Sequence, residues 1–184
     1  MAGRGKRFSE VLAETAARKL RAAAARFAGE TTSVEPPREV YLKACQHIAD
    51  ALAKDGFTYA RSSQTLSRKA KDFSFHISFQ SDRNNIAGEL VALWIHAGVR
   101  SKQLKAWRQA QPEAVYSGDG LAGGQLGNLT SPYSWMEWNL ANPDSRADLL
   151  ADAVATIRQI AFPYFALFED PHSLCLKLIS EDLP

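Results

Sequence analysis

The sequence is poor in several features that define whole classes of protein. Its two cysteines, Cys45 and Cys175, lie far apart, with no C-x-x-C spacing and no disulfide framework. No apolar run approaches the roughly 18 residues of a membrane-spanning helix. The N-terminus also lacks the continuous apolar stretch of a secretory signal. We therefore expect a cytoplasmic protein without a membrane span, in which both cysteines are buried free thiols.

What the sequence contains is the composition of an ordinary globular protein, with 46% hydrophobic and 23% charged residues among 184. The net charge of +2 is unevenly distributed along the chain. Residues 1–28 carry seven basic and two acidic side chains, a net charge of +5, which leaves −3 for the remainder. This basic segment indicates either a solvated amphipathic helix or a contact to nucleic acid or an anionic surface.

A proline pair marks the clearest boundary in the chain. Residues 8–28 have the composition of a helix, which Gly29 would close. Pro36-Pro37 then forbids a helix across the polar linker that follows. We predict a basic N-terminal helix and linker over residues 1–35 and a single domain over residues 36–184. Whether the first helix docks on the domain stays open.

The strongest secondary-structure pattern lies between residues 71 and 101. A strict alternation over residues 73–80 predicts a half-buried strand. One face carries Phe73, Phe75, Ile77 and Phe79, and the other carries Ser74, His76, Ser78 and Gln80. The segment from Glu89 to Val99 is apolar on both parities, as expected of a strand that is covered on both faces. The short connector between the two predicts antiparallel pairing.

The remaining elements surround these strands. Helices are predicted from Pro36 or Pro37 to Lys54, from Lys102 to Gln111 with Ser101 as cap, from Asn142-Pro143 until Pro163 breaks or kinks it, and from Pro171 to about Ser180. Weaker strands are predicted over 57–61 and 133–139, and a glycine-rich loop over 113–132. The predicted class is α+β: an antiparallel sheet of about four strands with helices packed on one face, plus the N-terminal helical appendage.

Several short motifs resemble a known family. Leu52-Ala-Lys-Asp-Gly56-Phe57 follows a long helix, Phe79-Gln80-Ser81 ends a strand, and Gly98-Val99-Arg100-Ser101 ends the next strand. Together with Ile160-Ala-Phe-Pro163-Tyr164-Phe165 in a late helix, these residues are similar to an uncharacterised bacterial family, domain of unknown function 4304. The resemblance covers roughly residues 40–170 and implies a compact α+β domain. It transfers no catalytic residue, and the basic helix lies outside it.

The glycine-rich loop contains Gly118-Asp-Gly120-Leu-Ala-Gly123, which has the spacing of a dinucleotide-binding motif. That motif functions between a strand and the N-terminus of a helix. The residues before it form a poor strand end, and Ser131-Pro132 and further glycines follow it in place of a helix start. We therefore expect a surface loop or a flexible lid, and no cofactor.

The polar face of the first predicted strand is the best candidate for a binding surface. Tryptophans from neighbouring strands would add aromatic anchors to its polar rim, which is typical of partner-binding sites. The alternative is that the tryptophans fill the core. The predicted partner-binding residues are His76, Gln80, Arg83, Trp94, His96 and Trp135.

Two of these residues also allow a chemical role. His76 and His96 share a face if the strands pair in the right register, which would permit acid–base chemistry or metal binding. A zinc site needs a third ligand, and no H-x-H or H-x-x-x-H spacing supplies it. We therefore predict neither a metal site nor a catalytic residue.

The sequence favours a non-catalytic protein-binding domain, such as a toxin-neutralising immunity protein or a defence-associated adaptor. One alternative is a nucleic-acid-associated protein, in which a basic hairpin arm at residues 61–71 assists the basic helix. Its predicted contacts are Arg18, Lys19, Arg21 and Arg26. The other alternative is a small enzyme using His76 and His96. The sequence does not indicate an oligomeric state.

Overall fold

The structure, a computed structural model, describes residues 35–111 and 117–170, together with residues 17, 174–176 and 179. Ala17 is helical and exposed. The predicted nucleic-acid contacts in the basic segment, and most of the helix predicted from Pro171, lie outside the described residues. Among the residues that are described, no helix has both the length and the hydrophobicity needed to cross a bilayer.

Helices flank a block of strands, as predicted. The helices are α1 (Pro37–Ala53), α2 (Lys102–Ala110), α3 (Pro143–Thr156) and α4 (Phe162–Glu169), with a 3₁₀ helix at Leu126–Leu129 and a π-helical segment at Ile157–Ala161. The strands are β1 (Thr58–Ala60), β2 (Thr65–Lys69), β3 (Phe73–Ser81), β4 (Ala92–Ser101), β5 (Gly120–Gln125) and β6 (Trp138–Asn139). All strand pairs are antiparallel, in the order β1-β2-β3-β4-β5, and β6 pairs with β4. The α+β class is confirmed.

The strand count is the main correction. The described sheet has six strands in place of about four, because β2 had no strand prediction and β5 lies inside the predicted glycine-rich loop. The strand expected over 133–139 is reduced to Trp138–Asn139, and β4 begins at Ala92, three residues later than predicted. Glycine-rich and charged segments carry little apolar alternation, so periodicity underestimates their content of strand.

The apolar face of β3 packs against the helices. Phe75 and Ile77 are fully buried, and the ring of Phe75 stacks on Phe165 of α4 at 4.8 Å between centroids. Cys45 of α1 is buried, as predicted, and burial raises the pKa of its thiol to about 11. Cys175, which was predicted to be buried, is exposed. The predicted assignment of the two faces of β3 is confirmed.

Side-chain caps fix the ends of two helices. The Oγ of Ser101 accepts a hydrogen bond from the Leu104 N–H at 3.2 Å, and the Oδ1 of Asn142 accepts one from the Asp144 N–H at 3.0 Å. Pro163 does not end its helix. The chain widens into a π-helical segment just before it, which accommodates the N–H that proline lacks, and then continues as α4.

Candidate functional site

The face of the sheet opposite the helices is polar. The register pairs Ser78 with His96 and Gln80 with Trp94, and it places His76 opposite Gly98. Residues that pair across an antiparallel ladder share a face, so these side chains lie together. We call this surface the open face and define it by Ser74, His76, Ser78, Gln80, Trp94, His96, Gly98 and Arg100.

A groove of about 690 Å³ runs along the open face between β3, β4 and β5. Ser78, Gln80 and His96 line one side of the groove. The other side is the backbone of β5, where Gly123 and Gly124 contribute peptide groups in place of side chains. The last four residues of the glycine motif, Gly120 to Gly123, thus lie within β5, and the strand–turn–helix arrangement of a dinucleotide site is absent from this described segment.

Trp135 covers one end of the open face. Its ring meets Trp94 edge-to-face, with centroids 5.5 Å apart, and the Trp94 Nε1–H donates to the Glu137 carboxylate at 2.8 Å. Trp138 has a different environment, since it is 5% exposed and its Nε1–H donates to Asp152 of α3 at 2.8 Å. The alternative that the tryptophans fill the core therefore applies to Trp138, whereas Trp94 and Trp135 are only half-buried.

Two nitrogens at this end of the sheet are buried without a hydrogen-bond partner, Nε2 of His96 and Nε1 of Trp135. Gln125 lies next to both residues. It pairs with His96 across the ladder, and its Nε2 donates to the carbonyl of Met136, which follows Trp135 in the chain. A buried polar group without a partner costs about 1–3 kcal/mol. Because the protein itself buries both nitrogens, a bound molecule would contact them only if the side chains that cover them moved.

Both histidines of the open face favour the neutral form. Burial lowers the pKa of His76 and His96 below the ordinary 6.5, and the nearby Arg100 charge lowers that of His76 further. The Nε2 of His76 also shares a hydrogen bond with the Ser74 hydroxyl at 3.0 Å. A neutral imidazole both donates and accepts hydrogen bonds, so the two rings can match either kind of group on a partner.

The lowered pKa values predict an acid-sensitive fold. Below pH 6.5 the two histidines bind protons in the unfolded chain but resist them in the folded chain. Their contribution to the free energy of unfolding is therefore complete above pH 6.5, and it is lost as the pH falls through the lower pKa values of the folded state. A His76→Gln/His96→Gln variant should lose less stability than the wild type between about pH 7.5 and about pH 5.5. Urea unfolding midpoints measure this, and equal losses in both proteins would contradict it.

The structure gathers most of the predicted partner-binding residues. His76, Gln80, Trp94 and His96 lie on the open face and Trp135 lies over it. Arg83 is exposed in the turn that follows β3, at the end of the sheet where Gln80 lies. Gln125 and the β5 backbone were missed, because a glycine-rich segment shows no alternation from which a strand face could be read.

No group of three or more histidine, cysteine or acidic side chains is positioned to hold a metal ion within the described ranges. Among protein families, the model described as "Domain of unknown function (DUF4304)" matches residues 48–167. This range contains β1 to β6 and therefore the open face. No curated protein and no solved structure matches the chain.

Proposed function

Since this chain belongs to the family described as domain of unknown function 4304, a name that assigns no activity, we propose its function from its own geometry. The domain is a non-catalytic module that binds a protein partner through the open face. The observation that carries this proposal is the open groove on this face, which His96 lines, together with the half-buried Trp94 and Trp135 at one end of the face. Aromatic side chains beside a polar groove are typical of surfaces that bind a partner.

A polypeptide fits this groove better than a small charged ligand does. One side of the groove is peptide backbone, whose N–H and C=O groups match those of another chain. The residues that line the groove also include no acidic side chain, no lysine and no arginine, so it offers no strong charge to attract a small ion. The half-buried Trp94 and Trp135 supply aromatic surface at one end, and such residues often dominate binding energy.

The specific role we propose is neutralisation of a partner protein, as an immunity protein or a defence-associated adaptor. A binding surface without a catalytic centre suits such a role, because the effect comes from occupying the partner. We place this role in the cytoplasm, where free thiols such as those of Cys45 and Cys175 stay reduced.

A charge reversal next to the open face tests the proposal. Arg83 and Arg61 are both exposed arginines in turns, at the end of β3 and after β1 respectively, so Arg61→Glu is a matched control for Arg83→Glu. Reversing a charge at an interface costs several kcal/mol, and each 1.4 kcal/mol corresponds to about a tenfold loss of affinity. Quantitative affinity capture from native cells should recover a specific protein with the wild type and Arg61→Glu, and at least about tenfold less with Arg83→Glu. Equal recovery with all three proteins would exclude the open face as the contact surface.

The same experiment separates the alternatives. Recovery of nucleic acid that elutes below about 0.3 M salt would favour binding through the basic segment, because phosphate contacts weaken steeply with salt. Loss of that material on substitution of Arg18, Lys19, Arg21 and Arg26 would assign it to this segment. An enzyme using His76 and His96 would instead show an activity that each alanine substitution abolishes.

A further inference from the structure

The open face has a different chemistry at each of its two ends. At one end lie the half-buried rings of Trp94 and Trp135, which meet edge-to-face. At the other end Ser74 pairs with Lys69 of β2 on one side and with Arg100 of β4 on the other. Residues that pair in this way have their Cβ atoms about 5 Å apart, so two cations flank one hydroxyl. We call this end, defined by Lys69, Ser74 and Arg100, the cationic end.

The cationic end carries more positive than negative charge. Lys69 and Arg100 are both exposed, and the Arg100 Nε lies 3.9 Å from the carboxylate of Asp119. The turn between β2 and β3 adds one charge of each sign, on Lys71 and Asp72. These described residues therefore leave one positive charge in excess. An ion pair this long between exposed groups is weak, and a guanidinium has several N–H donors, so Arg100 can bind a second carboxylate.

Hydrogen-bonding groups beside the two cations would fix the position of an anion. The Ser74 hydroxyl shares a hydrogen bond with Nε2 of His76 at 3.0 Å, and Ser67 of β2 pairs with His76 on its other side. Burial lowers the pKa of His76, the Arg100 charge lowers it further and the Asp119 charge raises it, so these side chains lie within interaction distance. This combination suits a carboxylate, because hydrogen bonds to a charged group are about twice as strong as neutral ones.

The groove connects the two ends of the open face. Its lining extends from Gln80, which pairs with Trp94, to Gly120, which pairs with Arg100. Gly98 lies between them and has no side chain to fill the middle of the groove. Arg100 follows Trp94 by six positions in β4, which corresponds to about 20 Å at about 3.4 Å per residue. An extended segment of about seven residues would therefore reach from the rings to the cations.

We propose that the partner protein lays an extended segment in this groove, with an acidic side chain at the cationic end and a large apolar side chain against Trp94 and Trp135. The two side chains are about six positions apart in that segment. Complementary charge selects the partner and fixes its orientation, because a basic residue placed beside Lys69 and Arg100 would be repelled. This inference rests on the proposed function and adds the chemistry of the segment that the open face recognises.

Selection from a displayed library of random peptides of about ten residues, with the full chain as bait, tests the proposal. The enriched peptides should share an aspartate or glutamate about six positions from an aromatic or large aliphatic residue. Enriched peptides that shift the indole signals of Trp94 and Trp135 but share no acidic residue would overturn the proposal and leave binding through the open face intact. Enriched peptides that leave both signals unchanged would contradict the open face itself. A library that yields no binding peptide would also overturn the proposal, because an extended segment is then not what the groove binds.

Charge reversal assigns the acidic residue of the peptide to the cationic end. With the strongest selected peptide, Arg100→Glu and Lys69→Glu should each raise the dissociation constant at least about tenfold. Replacing the acidic residue of the peptide by lysine should restore binding to Arg100→Glu, a rescue that a misfolded variant would not show. Arg61→Glu, which reverses an exposed charge after β1, should bind the original peptide like the wild type. Equal dissociation constants for the wild type, Arg100→Glu and Lys69→Glu would overturn the proposal.

Discussion

Replacing Phe75 by alanine should lower the free energy of unfolding by about 3–5 kcal/mol. Phe75 is fully buried at the centre of β3, and its ring stacks on Phe165. The Arg68 guanidinium also lies 5.3 Å from the centre of the ring. The substitution therefore removes apolar burial, a ring stack and a cation–π contact, and it leaves a cavity between sheet and helices. Guanidinium-induced unfolding measures the loss.

Ser78 provides the matched control on the same strand. It lies on the open face, three residues from Phe75 and therefore on the other side of the sheet. Ser78→Ala should change the free energy of unfolding by less than about 1 kcal/mol, because it removes only a hydroxyl from a half-buried groove wall. Similar losses for the two variants would contradict the assignment of one face to the core and the other to the groove.

Gly123→Ala should cost more than about 3 kcal/mol or prevent folding, because it combines a strained backbone with a steric clash. The φ angle of Gly123 is +146°, which side chains rarely adopt, and an added Cβ would lie 2.3 Å from the carbonyl oxygen of Ala97. Strand β5 would have to move away from β4, which would open the groove. Thermal melts report the effect on stability.

The adjacent glycine is the control for this prediction. A Cβ added to Gly124 would first meet the Asn128 Cβ at 3.6 Å, an ordinary van der Waals contact. Gly124→Ala should therefore melt within a few degrees of the wild type, since a change of 1 kcal/mol moves the midpoint by about 2–4 °C for a chain of this size. If both variants melt alike, β5 does not approach β4 as closely as the structure shows.

The strength of apolar alternation determined which strands could be predicted. Strand β3 repeats four apolar residues at a period of two, so both the strand and its faces were correct. Strand β2, Thr-Leu-Ser-Arg-Lys, buries only Leu66, and one apolar residue defines no period. Strand β5 is half glycine, and its position is set by backbone bonds to β4 and by the close approach at Gly123. Such tertiary causes leave no local pattern in the sequence.

The same limit explains which parts of the candidate site the sequence predicted and which it missed. Residue parity on β3 and β4 was enough to place His76, Gln80, Trp94 and His96 on one surface. Parity could not show that Trp94 lies at the open face and Trp138 in the core. The indole N–H of Trp94 donates to Glu137 and that of Trp138 to Asp152, and both contacts depend on how the chain returns to the sheet. Gln125 was missed with β5. Parity alone therefore predicts which residues share a face and leaves their partners undetermined.

The four tryptophans allow a direct measurement of which surface the partner occupies. Trp94 and Trp135 lie at the open face, Trp138 is in the core against α3, and Trp107 is exposed on α2. In a ¹⁵N–¹H spectrum each indole gives one signal, which can be assigned by single substitution to phenylalanine. On titration with the captured partner protein, the signals of Trp94 and Trp135 should shift while that of Trp138 stays in place. A partner that binds and shifts Trp138 or Trp107, with Trp94 and Trp135 unchanged, would contradict binding through the open face.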